Sequence, residues 1–253
     1  MSSLSLRSYN GKKLVSYLRK GDYAHAGETE SIIQVMNRFE KNKTQRILDV
    51  GCGLGGTANF IAKNGWGKVT GIDIELDSIN YANKYYSNVE FICFNALDAD
   101  QILKVKFDII CLFNSFYAIN DQLSCLQSLA KVASSSSTIA IFDYSYLGKD
   151  SDISLIREEN IEKNILAFKP INIELIPAML RSASWKLVEI VDISYDYIRW
   201  YYELINKLLM NKINIIQKYG EDSFNRAYIT YTNIYEALRI KSLGGAIVYA
   251  CKF

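Results

Sequence analysis

RILDVGCGLGGT, residues 46–57, is the stretch on which the fold turns. Ile47, Leu48 and Val50 make a short apolar run of the kind that forms a buried strand, and Gly51, Gly53 and Gly56 follow at the spacing G-x-G-x-x-G. Glycines let the backbone turn tightly and approach a ligand, and the helix that Thr57 opens offers unpaired N–H groups at its start. Alone, the spacing is a weak nucleotide signal. It gains weight from Asp73, 17 residues beyond Gly56 at the end of a second apolar run, where a carboxylate can accept from two ribose hydroxyls. The ligand expected is a nucleoside.

Working outward, the same alternation repeats. Residues 46–50, 68–74, 89–94, 107–112 and 138–143 are strand candidates bounded by Gly, Asn, Asp or Ser, and 57–64, 77–86 and 121–133 are helix candidates between them. Strand then helix, repeated, predicts an α/β fold with parallel pairing and right-handed crossovers. Two regions fall outside the repeat. Ile32, Ile33, Val35, Met36 and Phe39 mark an amphipathic helix ahead of the first strand. After Asp143 come helix candidates at 151–168 and 173–183, a strand at 186–193, a long aromatic helical stretch at 195–241 and a last strand at 246–253. This ending is compatible with an antiparallel strand pair and is not a second mononucleotide-binding half.

Composition narrows the partners. With 29 Lys and Arg against 27 Asp and Glu, and no run of like charges, nothing resembles the basic stripe of a nucleic-acid binder, so no nucleic acid is expected. No stretch approaches the roughly 18 apolar residues of a spanning helix, and Arg7, Lys12, Lys13 and Arg19 interrupt the opening segment, so neither a membrane span nor a secretory signal is expected. One His and an odd set of five Cys make a metal site unexpected. Cys93 and Cys111 lie in apolar runs and read as buried thiols, which together with the missing signal points to a cytoplasmic protein.

Asp49 decides between nucleoside ligands. Two residues before the first glycine, its charge would repel a pyrophosphate, whereas a cationic sulfonium and an α-amino group tolerate it. Here the chain resembles the class I S-adenosylmethionine-dependent methyltransferases, whose loop reads acid-x-Gly-x-Gly, as Asp49, Gly51 and Gly53 do. IDIELDSINYANK looks like the ribose-binding segment, VEFICFNALDAD like the adenine-binding segment and FDIICLFNSFYAI like the fourth strand with its substrate-side loop. GDYAHAGE at 21–28, and a tail in which Trp200-Tyr201 precedes a GGAIVYA strand, look like the small-molecule enzymes of the sarcosine/dimethylglycine and phosphoethanolamine N-methyltransferase group.

That resemblance implies a Rossmann-like seven-stranded sheet, mostly parallel with an antiparallel last strand, plus helical lid or cap insertions. It divides the chain into an N-terminal helical lid (1–45), a cofactor-binding core (46–143) and acceptor-side insertions with the terminal strand pair (144–253). It implies S-adenosylmethionine as cofactor, S-adenosylhomocysteine as product and no metal. By matched position, Gly51 and Gly53, with Cys52 between them, would face the methionyl part, Asp73 the ribose, Ile74 the adenine face, and Asn95 and Ala96 the adenine edge, with Asn114 near the methionyl group. Asn95 departs from the family's usual Asp, and Asp98 stands close enough to take over.

The expected acceptor is a small molecule, an amine first, with protein or RNA, or a cofactor-binding scaffold without turnover, as rivals. His25, with an ordinary pKa near neutrality, and Tyr117 are the candidate catalytic side chains. Tyr23, Tyr144, Tyr146, Tyr195 and Trp200 are candidate substrate contacts, because aromatic faces attract alkylammonium groups. Tyr228, Tyr231 and Tyr235 recur at helical spacing and are expected in the core.

Overall fold

A computed structural model describes residues 5–146 and 168–253. The glycine stretch lies where expected. β1 (Arg46–Val50) runs through it into α3 (Gly56–Lys63), preceded by α1 (Tyr9–Arg19) and α2 (Glu28–Met36). The repeat continues through β2 (Lys68–Asp73), α4 (Leu76–Tyr85), β3 (Glu90–Cys93), α5 (Ala99–Ile102), β4 (Phe107–Phe113), α6 (Gln122–Val132) and β5 (Ala133–Tyr146). Then follow β6 (Ile171–Asn172), α7 (Ile176–Ser182), β7 (Trp185–Asp192), α8 (Ser194–Met210), α9 (Lys212–Tyr219), α10 (Glu221–Arg239) and β8 (Gly244–Lys252).

The sheet order is β3-β2-β1-β4-β5-β8-β7, with the two-residue β6 beside the end of β5. β1 to β5 pair in parallel, and β8 is antiparallel to both β5 and β7. The order reverses between β1 and β4, so a crevice opens at the C-terminal ends of those two strands. Alternate residues feed two cores: Ile47, Cys111, Phe113 and Phe142 face one side, and Leu48, Val50, Leu112 and Ile141 the other. Burial on both faces explains the near-continuous hydrophobicity of the strands.

Several elements differ from the sequence reading. α1 has no counterpart in it: Ser8 caps the helix, its hydroxyl accepting from Gly11 N–H, and Leu14, Val15 and Leu18 are fully buried. The stretch 195–241 is three helices, broken at Asn211 and at Gly220, whose φ of 88° no other residue type adopts readily. Of the three tyrosines expected in the core only Tyr231 is buried; Tyr235 is half-buried and Tyr228 is 36% exposed, although all three share one α10 face. Cys93, on an outer strand, is half-buried rather than buried, and all five thiols are free. β5 is 14 residues long where six were expected: Ala133 pairs with Phe107 ahead of an irregular stretch, and Tyr144 to Tyr146 extend the pairing to β8 and β6. The helix expected at 151–168 lies almost wholly outside the described residues. Among those described, no helix is long and apolar enough to cross a membrane.

Candidate functional site

The loop after β1 is held from below. Gly51 and Cys52 N–H groups both donate to Ile72 O, at 2.7 and 2.9 Å, which folds the chain back over the end of β2. Gly51 has φ 76°, and a Cβ there would lie 2.4 Å from Ser115 Cβ, so neither the conformation nor the space admits a side chain. Gly53 N–H donates to Asp73 Oδ2 at 2.8 Å, tying the loop to the carboxylate at the end of β2. Asp49 is buried beside Asp73, and its Oδ2 has no hydrogen-bond partner. Burial, then the charge of Asp73, pushes its carboxyl up to about 7. An orphaned buried acceptor beneath a glycine cradle fits the cationic end of S-adenosylmethionine.

The N-terminal helix α1 reaches into the same place. Lys12 Nζ of α1 lies 3.2 and 3.1 Å from the two Asp73 oxygens, 3.2 Å from Ser78 Oγ and 3.2 Å from Glu75 Oε2. Tyr9 N–H donates to Glu75 Oε1, and the Lys12 stem passes over Gly53. The ammonium therefore occupies both Asp73 carboxylate oxygens. No local sequence signal marked Lys12 for this.

Residues 21–28 close the other side. Asn114, in the left-handed region at φ 47°, follows β4 and acts as a hub: its Oδ1 accepts from Ala26 N–H at 3.0 Å, and its Nδ2 donates to Asp143 Oδ1 and Tyr197 OH at 3.2 and 2.8 Å. Asp143, fully buried at the β5 end, also accepts from Tyr117 N–H and Tyr144 N–H, and burial pushes its carboxyl up to about 7. His25 packs against Phe113 and Phe142, with Nδ1 3.0 Å from Ala26 O and Nε2 2.8 Å from Thr57 Oγ1. That geometry fits an Nδ1–H donor and an Nε2 acceptor. Burial drives its pKa down to about 4, so the expectation of an imidazole titrating near neutrality is corrected.

Beyond Asn114 the aromatic residues converge. Tyr117 and Tyr144 meet edge to face at 5.1 Å, Tyr144 and Tyr197 at 5.4 Å, and Phe168 touches both Tyr117 and Tyr144. The Tyr144 and Tyr201 hydroxyls are hydrogen-bonded, Tyr231 adjoins Tyr201, and the Arg7 guanidinium lies 4.8 Å over the Tyr117 ring. Burial raises the phenols of Tyr117, Tyr144, Tyr197 and Tyr201, so they stay protonated donors at neutral pH.

The structure thus brings together Asp49, Gly51, Cys52, Gly53, Asp73, Asn114, Tyr117 and Tyr144, with Tyr23 and His25 from the lid, whose rings lie 5.7 Å apart. Ile74 projects beside them, 72% exposed. Asn95 is exposed and caps a 3₁₀ turn, its Oδ1 accepting from Leu97 N–H, with Ala96 half-buried after it. Tyr146 is half-buried at the β5 end. Tyr195 does not join them: it is 80% exposed, because the helical turn that points Tyr197 and Tyr201 inward points it out. Trp200 is buried as packing, its ring against Gly27 and its Nε1–H on Glu30. Lys12 and Asp143 were missed; of these only Asp143, an acid closing an apolar run, had a readable signal. Among the described residues no group of three His, Cys, Asp or Glu side chains could hold a metal ion.

A parallel sheet ending in an antiparallel pair, with an acid before the glycine loop and a carboxylate closing β2, defines a class I, Rossmann-like methyltransferase that uses S-adenosylmethionine. The chain belongs to the methyltransferase domain family, whose model matches residues 41–194, more than half of its length. It is similar to a phosphoethanolamine N-methyltransferase of Plasmodium falciparum, 25% identical over 219 residues that cover 85% of this chain and 81% of the relative. It also matches an O-methyltransferase of Pyrenophora dematioidea, 33% identical over 116 residues, 44% of this chain and 43% of the relative. Among solved structures, phosphoethanolamine N-methyltransferase 2 of Haemonchus contortus, in complex with phosphomonomethylethanolamine and S-adenosylhomocysteine, superposes with a TM-score of 0.84 at 14% identity. That match covers 98% of this chain and 58% of the other, so the chain spans less than two thirds of two of these three proteins.

Proposed function

We propose that this methyltransferase acts on a small-molecule amine, in the cytoplasm, without metal or nucleic acid. The observation that carries the acceptor reading is the cluster of aromatic side chains, Tyr117, Tyr144, Tyr197, Tyr201 and Phe168, packed together at the strand ends next to the glycine loop. Among the described residues the carboxylate beside these rings is Asp143, which is already engaged by Asn114 and two backbone N–H groups. Ring faces are then what remains to attract a substituted ammonium, each contributing about 0.5–2 kcal/mol, and the phenols can donate to an anionic group on the same molecule. The phosphoethanolamine relatives support this choice.

Asp49 and Asp73 would hold S-adenosylmethionine, which when bound would supply an electrophilic methyl group on a cationic sulfur. The chain's part is to hold the acceptor nitrogen in line with it and exclude water. The acceptor nitrogen would need its lone pair free, and its proton would pass to solvent, since the Tyr117 and Tyr144 phenols stay protonated beside it. In this reading the division at residues 45 and 143 separates lid, core and acceptor cap, and Ile74, Asn95 and Ala96 hold the adenine. His25, enclosed and neutral, is a positioning residue that ties the 21–28 loop to α3. Tyr117 and Tyr144 wall the acceptor, with Tyr23 and Tyr146 at its rim.

The test is release of S-adenosylhomocysteine across a panel of amines, phosphorylated amines, phenols and alcohols. Turnover confined to amines is the expected result. Turnover confined to phenols would assign the O-methylation seen in the name of the fungal relative, and methylation of protein or RNA alone would overturn a small-molecule acceptor.

A further inference from the structure

A cleft of about 750 Å³ opens between α1, the residues around Tyr81 and Tyr86, and the α8–α9 corner; none of the motif glycines Gly51, Gly53 and Gly56 lines it, although Asp22 in its wall packs on Gly56. Five cations line it, Lys13, Arg19, Lys20, Lys207 and Lys218, against the carboxylate of Asp22. The whole chain carries a formal charge of only +2, so this cleft concentrates positive charge that is offset elsewhere.

The cations are poorly compensated. Asp22 is occupied, accepting from Ser16 Oγ at 2.6 Å and from the Tyr81 and Tyr86 hydroxyls at 3.1 and 2.5 Å. Glu28, which is not among the lining residues, lies 3.1 Å from Lys207 Nζ and 3.4 Å from Arg19 Nη1 and has to serve both. Lys13 and Lys218 rest on rings, 4.0 Å from the Tyr81 centroid and 5.0 Å from that of Tyr17. Lys20, left-handed at the end of α1, makes no ion pair among the described residues. The Arg19 side chain is 2% exposed, and its Nε and Nη1 have no hydrogen-bond acceptor. Unsatisfied buried donors cost free energy that an incoming acceptor returns.

We propose that this cleft binds a metabolite-sized polyanion carrying two or more phosphate or carboxylate groups. Positive charge gathered between low-dielectric walls focuses the field on such a ligand, and the tyrosine rings offer flat faces to its remaining atoms. The ligand would bridge α1 to the α8–α9 corner across the seam where Lys218 lies over Tyr17, the Tyr17 and Tyr219 rings stand 6.3 Å apart and the Tyr219 hydroxyl donates to Lys13 O. The proposal is independent of which acceptor the methyl-transfer site takes.

Calorimetric titration of the full chain with inorganic pyrophosphate tests it, with Lys20→Gln/Lys218→Gln as the variant. Saturable binding is expected, weakening with added salt and falling about tenfold or more in the double variant. S-adenosylmethionine affinity should be the same in both proteins, which shows the variant folded. Absence of saturable binding, or equal pyrophosphate affinity in the variant, overturns the proposal. Sedimentation with phosphatidylglycerol vesicles, without binding of free pyrophosphate, would also overturn it and make the cleft a membrane contact, with Met210, 86% exposed on its rim, as the inserted side chain.

Discussion

Asp49, Asp143 and His25 are ionisable groups whose burial favours the neutral form, and their effects on stability oppose one another. Each carboxyl stands at about 7 in the fold against 3.8 ordinarily, so its contribution is complete below about 3.8 and is lost as pH rises through 7. His25 stands at about 4 against 6.5, so its contribution is complete above 6.5 and is lost as pH falls through 4. Asp49→Asn removes a buried charge at high pH, and the cofactor-free variant should gain about 1–3 kcal/mol at pH 8.5 and less than about half of that at pH 5. Calorimetric melting at the two pH values measures this, and a shift independent of pH would refute it. The same variant should bind S-adenosylmethionine roughly tenfold more weakly, since a cation loses its carboxylate. His25→Asn should lower turnover several-fold through a loosened loop while leaving the pH–rate profile intact; disappearance of a limb near pH 6–7 would return proton transfer to His25. Asp73 and the glycines were legible because chain spacing alone places them. The His25 environment was not, since Phe113 and Phe142 come from strands distant in sequence.

Helix α1 shows why one element escaped the sequence reading. Its inward residues, Leu14, Val15 and Leu18, are few, and Gly11 with Lys12, Lys13 and Arg19 breaks the apolar stripe. Gly11 is there for proximity: a Cβ would fall 2.3 Å from Ser5 O, so the preceding turn packs directly on the helix. One of the residues that hid the helix, Lys12, is also its most consequential. Lys12→Met keeps an aliphatic stem over Gly53 but takes the ammonium off Asp73 and Glu75. Cofactor affinity should rise about tenfold by calorimetry, while the melting temperature without cofactor falls because two carboxylates lose a buried partner. Weaker or unchanged cofactor binding would mean that Lys12 does not compete for the ribose position. The long helical stretch, by contrast, was legible as helix and misread only in its continuity, although Gly220 is the kind of residue that ends one.

At the scale of the whole molecule, the strand–helix repeat made the parallel half of the sheet readable and left its far edge open, because no periodicity says that β8 pairs between β5 and β7. Nor did the sequence show how firmly the lid belongs to the body. Leu14, Val15 and Leu18 lie in the same core cluster as Ile47 and Phe142, and burying each contributes about 1.5–3 kcal/mol. Removal of residues 1–20 should therefore lower the melting temperature on the order of 10 °C at roughly 2–4 °C per kcal/mol, and an unchanged melt would make α1 a detachable flap. The placement of β8 also orders events in time. Synthesis proceeds at about 5–20 residues per second, and until residues 244–252 leave the ribosome β7 has no neighbour in the sheet and β5 keeps a bare edge along most of its length. The nascent protein must carry that open seam through the making of three helices, so the ribosome, and whatever chaperone waits at its exit, meets this enzyme as an unfinished sheet closed only by its last strand.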